Sequence, residues 1–172
     1  MNKRTILIIE DNFEIREGIA EILELTAGYN ILTAPDGKVG VELAIKHRPD
    51  IILCDIMMPE LDGYGVLFML SKNEQTADIP FIFLTAKSER ADMRKAMEMG
   101  ADDYLTKPFD DIELLNAIES RLRKRDHLAQ GAEPRLGLKL NDEEQHVLLT
   151  DLVKDARVKN FKKKQSIYEV GD

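Results

Sequence analysis

Four short apolar runs in the sequence each end in a polar group that could take part in chemistry. Glu10 and Asp11 follow the first run, Asp55 ends the second, Thr85 ends the third and Lys107 follows the fourth. In an open parallel sheet the carboxyl ends of the strands share one edge, and ligands bind at that edge. The spacing therefore predicts that these five side chains meet, with Asp55 as a nucleophile.

The chemistry that fits this set is transfer of a phosphoryl group to the carboxylate of Asp55. A carboxylate can act as a nucleophile, and phosphoryl transfer depends mainly on positioning and on charge stabilisation. Glu10, Asp11 and Asp55 would repel one another without a cation. A Mg²⁺ ion, which prefers a few carboxylates together with water and substrate oxygens, would remove that conflict. Lys107 would supply a counter-charge and Thr85 a hydroxyl donor.

Strands and helices alternate along the part of the sequence that carries these residues. Strands are predicted at Ile6–Ile9, Tyr29–Thr33, Ile51–Asp55, Ile79–Thr85 and Tyr104–Thr106. Helices are predicted between Asn12 and Gly28, at Val39–His47, Gly65–Lys72 and Glu89–Met99, and from Asp110 or Asp111 onward. In the last helix, the residues expected to face inward are Ile112, Leu115, Ile118 and Leu122. This alternation predicts an α/β fold with a parallel sheet covered on both faces and right-handed crossovers, ending near residue 127.

Composition limits the classes of function. The formal net charge is −8 over 172 residues, so the chain as a whole is not expected to bind nucleic acid. The basic cluster at Arg121–Arg125 is interpreted as a solvated helix face, or as ion pairs across a dimer. The single cysteine, Cys54, excludes an internal disulfide and is expected to be buried. No signal peptide and no stretch of ~20 apolar residues is found, so we expect a cytoplasmic protein and no membrane partner.

Residues 1–127 resemble a response-regulator receiver domain of bacterial two-component signalling. The motifs that carry this resemblance stand in order: Glu10-Asp11, Asp55, Met58-Pro59, Asp62-Gly63, Thr85-Ala86, Gly100 to Tyr104 and Lys107-Pro108-Phe109. The resemblance implies a flavodoxin-like, doubly wound sheet of five parallel strands in the order 2-1-3-4-5, with helices on both faces. The one departure is Glu10, which stands where aspartate is commoner.

The resemblance also implies a role for each matching residue. Asp55 would be the phosphoacceptor, and Lys107 would pair with the phosphoryl group. Asp11 and Asp55 would bind Mg²⁺ directly, together with the backbone carbonyl of Met57, while Glu10 would act mainly through water. The chemistry would be limited to phosphorylation and slow dephosphorylation of the protein itself, so we do not expect an enzyme with an external substrate.

Further implications concern the switch and the partners. Thr85 and Tyr104 would form the switch pair, and the Lys107-Pro108 bond would be cis. A sensor histidine kinase would donate the phosphoryl group. A homodimer would form through the helix at Glu89–Met99, the strand that carries Tyr104 and the helix at Asp111–Arg125.

Residues beyond the first domain divide into a linker at 128–140 and a second segment at 141–172. The second segment resembles the opening of a cyclic-nucleotide-binding domain of the catabolite-activator type, followed by a stop at Gly171-Asp172. We expect the chain to be part of a longer transcription regulator, with DNA bound only through an output domain absent from this chain. The alternative is a short helical and partly disordered appendage.

Two other functions compete with a phosphorylation switch. One is an aspartyl-phosphate hydrolase of the haloacid-dehalogenase kind, which requires a second aspartate two residues after the nucleophile. That position holds Met57, which counts against the hydrolase. The other is a pseudo-receiver that acts as an interaction module without phosphate. The complete set of five site residues counts against the pseudo-receiver.

Overall fold

The computed structural model describes residues 3–86 and 90–131. Within these ranges the chain alternates between five strands and five helices. The predicted start of the fourth helix at Glu89, most of the predicted linker and the whole of the segment at 141–172 lie outside the described residues. Among the described helices, none combines the length and the apolar character that crossing a membrane requires.

The five strands form one parallel sheet. Their bounds are Thr5–Ile9 (β1), Asn30–Ala34 (β2), Ile51–Asp55 (β3), Phe81–Thr85 (β4) and Asp103–Thr106 (β5). The strand order is β2-β1-β3-β4-β5, and all neighbouring pairs are parallel. This confirms the predicted sheet and its order. Because β1 lies beside β3, and β3 beside β4, the residues that follow these strands come together at one edge.

Five helices cover the sheet. They span Phe13–Ala27 (α1), Gly37–His47 (α2), Gly63–Ser71 (α3), Arg90–Glu98 (α4) and Asp111–Ala129 (α5). Four of them begin after a side chain that accepts a hydrogen bond from the first turn, namely Asn12, Asp36, Asp62 and Asp110. Such N-caps satisfy backbone N–H groups that have no partner inside the helix. The last helix continues to Ala129, so its final two residues lie within the segment assigned to the linker.

Alternate residues of the central strands are buried on opposite faces of the sheet. Ile6 and Ile8 of β1 pack into the layer that α1 and α5 cover. Leu7 and Ile9 pack into the layer that α2, α3 and α4 cover. Cys54 belongs to the second layer and is fully buried, as predicted. The continuous apolar runs of the sequence follow from burial on both faces.

Two details of the predicted elements were wrong. Ile112 does not face the core but is 69% exposed, and Leu114 is buried in its place. Leu114 and Ile118 are four positions apart and share one side of the helix, whereas Ile112 lies about 120° around the axis from Ile118 at 3.6 residues per turn. The fourth strand begins at Phe81 rather than at Ile79, whose N–H donates to Thr76 in a preceding turn.

The amino-terminal edge of the sheet is held by four charged residues. Arg4 donates two hydrogen bonds to the carboxylate of Asp126, at 2.6 and 2.7 Å. Asp50 accepts from the backbone N–H of Thr5 at 2.8 Å and lies 3.4 Å from the guanidinium of Arg4. Arg125 donates to the backbone carbonyl of Asp50 at 2.7 Å. These contacts join the start of β1, the turn before β3 and the end of α5.

Candidate functional site

The carboxyl edge of the sheet brings the predicted site residues together. Glu10 directly follows β1, Asp55 is the last residue of β3 and Thr85 is the last residue of β4. The register pairs Asp55 with Leu84, the residue before Thr85, so β3 and β4 end within one residue of each other. Lys107 directly follows β5, and its backbone N–H donates to the carbonyl of Thr85 at 2.7 Å. The predicted convergence of the four strand ends is therefore present.

Three carboxylates form the centre of this edge. One oxygen from each of Glu10, Asp11 and Asp55 can be chosen so that all three lie within 4.8 Å of one another. Glu10 and Asp55 are buried, with 1% and 6% of their surface exposed, while Asp11 is exposed to solvent. Carboxylate oxygens are the ligands that Mg²⁺ prefers in proteins. The three carboxylates therefore fit the predicted Mg²⁺ ion, and the exposed side chain of Asp11 makes the site accessible from solvent.

Lys107 lies against two of the carboxylates, closer to one than to the other. Its Nζ is 2.6 Å from Oε2 of Glu10 and 3.5 Å from Oδ2 of Asp55. The Lys107 side chain is 18% exposed. Glu10 is the residue that departs from the commoner aspartate, and its carboxylate is the closer of the two to Lys107. The lysine that the resemblance assigns to the phosphoryl group is therefore paired with Glu10 in this arrangement.

The raised pKa of Glu10 reflects a shortage of positive charge around its buried carboxylate. The pKa of Glu10 is raised from 4.5 to about 7; burial is the largest cause, and the negative charge of Asp55 acts in the same direction. The hydrogen bond from Lys107 lowers this pKa but does not cancel the effect of burial. A divalent cation would favour the ionised carboxylate. The site therefore has the electrostatic character of a cation-binding centre.

Backbone contacts fix the buried carboxylates. The N–H of Asn12 donates to Oε1 of Glu10 at 3.2 Å, and the guanidinium of Arg16 donates to the Glu10 carbonyl at 2.8 Å. The N–H of Met57 donates to Oδ1 of Asp55 at 3.3 Å. From the sequence, Asn12 was used only to mark the start of the first helix, and Arg16 was assigned no role. No pattern in the sequence indicated that either would contact Glu10.

The loop after β3 folds closely over Asp55, and this requires a glycine at position 63. A Cβ atom on Gly63 would lie 2.4 Å from the backbone oxygen of Asp55, closer than any real contact. The N–H of Gly63 donates to the carbonyl of Ile56 at 2.9 Å, which closes the loop. Met57 lies within this loop and is 57% exposed. The physical role of Gly63 is thus to let the backbone of the loop approach the backbone of Asp55 closely.

The expected switch residues lie on the two neighbouring strands. Thr85 is 3% exposed at the end of β4, and Tyr104 is half-buried in β5, level with Phe83. Tyr104 therefore lies two residues further from the site than Thr85 along the sheet. The peptide bond between Lys107 and Pro108 is cis, as the resemblance implied.

With this fold and this site, the chain belongs to the response regulator receiver domain family, whose sequence model matches residues 6–119. The chain is similar to the transcriptional regulator RpaA of Synechocystis, with 43% identity over 128 residues, which cover 74% of this chain and 53% of the relative. It is 42% identical over 121 residues to the phosphate regulon regulator PhoB of Pseudomonas aeruginosa, covering 70% of this chain and 52% of the relative. The chain therefore spans about half the length of these curated relatives.

Solved structures resemble the same part of the chain. A response regulator from Chloroflexus aurantiacus matches with a TM-score of 0.68 and 30% identity, covering 71% of this chain and 99% of that one. The receiver domain of the sensor histidine kinase PA1611 from Pseudomonas aeruginosa matches with a TM-score of 0.64 and 31% identity, with the same coverage of both chains. In the PA1611 structure a magnesium ion is coordinated in the active-site cleft. None of these matches supports the resemblance of residues 141–172 to a cyclic-nucleotide-binding domain, which stays a prediction.

Proposed function

We propose that this receiver domain works as a phosphorylation switch in which Asp55 accepts a phosphoryl group from a sensor histidine kinase. The observation that carries the proposal is the position of Asp55 at the carboxyl edge, between two further carboxylates and the ammonium group of Lys107. An oxygen of Asp55 attacks phosphorus, a new P–O bond forms and the P–N bond to the kinase histidine breaks. The leaving imidazole keeps the electron pair of that bond and takes up a proton.

A Mg²⁺ ion fits the three carboxylates and would neutralise the phosphoryl oxygens during transfer. Asp11, Asp55 and the carbonyl of Met57 would hold it directly, with Glu10 acting mainly through water. Lys107 now contacts Glu10 more closely than Asp55, at 2.6 against 3.5 Å. Its ammonium group would turn from Glu10 toward the new phosphoryl oxygens, where the negative charge has increased.

The change at Asp55 would reach the surface through Thr85 and Tyr104. A phosphoryl group adds roughly −1.5 to −2 charge and three acceptor oxygens, which would draw the hydroxyl of Thr85 toward it. Tyr104, on the adjacent strand, would then move inward. The surface that responds would include α4, β5 and α5, where the exposed apolar residues Met97 and Ile112 fit a homodimer contact. The names of the curated relatives support control of transcription as the output of the whole protein.

Water would restore Asp55 by hydrolysing the aspartyl phosphate, so the domain would turn over no external substrate. The test is intact mass after incubation with acetyl phosphate and Mg²⁺, with light scattering on the same samples. Wild-type protein should gain one phosphoryl group, and Asp55→Asn should gain none. Asp62→Asn is the matched control, because Asp62 caps α3 and lies outside the carboxylate cluster; it should be labelled like wild type.

Two results would contradict the proposal. Failure to label the wild type would favour the pseudo-receiver, and steady release of phosphate from a generic aryl phosphate would favour the hydrolase. Labelling without any rise in mass by scattering would contradict the homodimer alone.

A further inference from the structure

Tyr64, in the first turn of α3, touches both β4 and α4. The edge of its ring packs on the ring of Phe83, with centroids 5.3 Å apart and planes inclined by 62°. The ammonium group of Lys95, on α4, lies 4.3 Å from the centroid of the Tyr64 ring, within range of a cation–π contact. Phe83 is two residues before Thr85 on β4. Tyr64 is therefore placed to link the strand that ends at the switch threonine with the helix that follows it.

The hydroxyl group of Tyr64 is buried, and in the part of the chain that the structure describes it has no hydrogen-bond partner. A buried hydroxyl without a partner destabilises the arrangement that contains it. A candidate acceptor is Asp92, which lies three residues before Lys95 on α4 and therefore on the same side of that helix. Burial raises the pKa of Tyr64, and the next cause is the negative charge of Asp92. A movement of α4 that brings Asp92 to the Tyr64 hydroxyl would supply the missing acceptor.

We infer that Tyr64 is a positioning residue of the switch, whose hydroxyl lacks a partner in the arrangement seen here and donates to Asp92 once α4 moves. The inference rests on the proposed phosphorylation of Asp55. A bond that forms in only one of two arrangements shifts the equilibrium toward that arrangement. The Tyr64 hydroxyl therefore opposes the resting form and favours the switched form, with Asp92 as its acceptor.

Removing the hydroxyl should have opposite effects on the two forms. In Tyr64→Phe the resting protein loses an unpaired buried group, so its urea midpoint should rise. The switched form loses a hydrogen bond, so the apparent affinity for beryllofluoride, a mimic of the phosphoryl group on Asp55, should fall about tenfold. If the Tyr64 side chain only filled space, the Tyr64→Phe change would not both raise the urea midpoint and lower the affinity for beryllofluoride.

The experiment measures the ¹⁹F resonance of beryllofluoride bound at Asp55 as its concentration rises in the presence of Mg²⁺, together with hydrogen exchange of the α4 amides. The variants are Tyr64→Phe, Asp92→Ala and the double variant. Tyr29→Phe is the matched control, since Tyr29 packs on the opposite face of the sheet, against the layer that α1 and α5 cover. The two single variants should weaken binding alike, the double variant no further, and Tyr29→Phe not at all.

Several outcomes would overturn the inference. Unchanged beryllofluoride affinity in Tyr64→Phe, or a lower urea midpoint of that variant, would refute the role of the hydroxyl. Additive losses in the double variant would show that Tyr64 and Asp92 act separately. If wild-type protein binds no beryllofluoride at all, the proposed phosphorylation of Asp55 fails, and the inference fails with it.

Discussion

The two edges of the sheet differ in their balance of positive and negative charge. At the amino-terminal edge two guanidinium groups face two carboxylates, from Arg4, Arg125, Asp50 and Asp126. At the carboxyl edge three carboxylates, from Glu10, Asp11 and Asp55, face the single ammonium group of Lys107 among the described residues. The first edge is balanced and partly solvated, and the second is acidic and largely buried.

This difference separates a structural cluster from a functional one. A balanced set of exposed ion pairs has little to gain from a ligand, and each such pair contributes about 0–1 kcal/mol to stability. A buried excess of negative charge destabilises the metal-free protein and is relieved by a cation or by protonation. The carboxyl edge is therefore the place where binding a ligand can change the free energy of the fold.

The largest expected effect comes from removing the one positive charge of the acidic edge. Lys107→Met leaves the buried carboxylate of Glu10 without its 2.6 Å partner, and breaking a buried pair in this way costs about 3–5 kcal/mol. Arg4→Met, the matched change at the opposite edge, should cost no more than about 1 kcal/mol. Urea unfolding of both variants in EDTA at pH 8 measures the difference. Equal losses would show that the two edges do not differ as described.

The second prediction concerns pH. Glu10 has a pKa of about 7 in the folded protein against an ordinary value of 4.5, so the folded form binds this proton more tightly than the unfolded chain. The stability that this proton contributes is fully present below about pH 4.5 and is lost as the pH rises through 7. Glu10→Gln should remove that loss, which amounts to at most about 3 kcal/mol at 1.36 kcal/mol per pKa unit.

Urea unfolding in EDTA from pH 4.5 to pH 8 tests this, with Asp50→Asn as the control from the opposite edge. The gap between wild type and Glu10→Gln should widen with rising pH. A gap that stays constant across this range would show that Glu10 does not titrate differently in the two states.

The third prediction concerns the metal. Mg²⁺ that binds only the folded protein stabilises it by RT ln(1 + [Mg²⁺]/Kd), which is about 1.4 kcal/mol at ten times the Kd. Wild type and Asp126→Asn should gain this stability, whereas Asp11→Asn and Asp55→Asn should lose most of it. Urea midpoints with and without Mg²⁺ at pH 8 measure the gain. An equal gain in the Asp11 and Asp55 variants would place the cation elsewhere.

The acidic edge could be predicted from the sequence because its residues occupy strand ends. Once the strands were predicted to be parallel, Glu10, Asp55, Thr85 and Lys107 had to approach one another. The closer partner of Lys107 could not be predicted, since the choice between Glu10 at 2.6 Å and Asp55 at 3.5 Å depends on side-chain rotamers. The same limit applies to Arg16, whose contact with the Glu10 carbonyl depends on a rotamer.

The amino-terminal edge was not predicted at all. Its members lie in a strand, a turn and a helix end that are far apart along the chain, and charged residues at such places are usually solvated. Arg125 was interpreted as part of a solvated or dimer-forming basic cluster, yet it donates to the carbonyl of Asp50 within the chain. Tyr64 was missed for a related reason, because its contacts depend on how α3 and α4 pack and leave no periodic signal.

The smallest expected effect tests the balanced edge. Asp126→Asn removes the charge that two 2.6–2.7 Å hydrogen bonds from Arg4 neutralise, but both side chains are about 40% exposed. The loss should therefore stay below about 1 kcal/mol and should largely vanish in 1 M salt, where the Debye length is about 3 Å. The loss in Lys107→Met should persist in the same salt, because buried charges are screened much less. Urea unfolding of both variants at low and high salt distinguishes the edges. A salt-resistant loss in Asp126→Asn would mean that Arg4 and Asp126 are coupled as strongly as the buried pair, and the contrast between the two edges would then lie in composition alone.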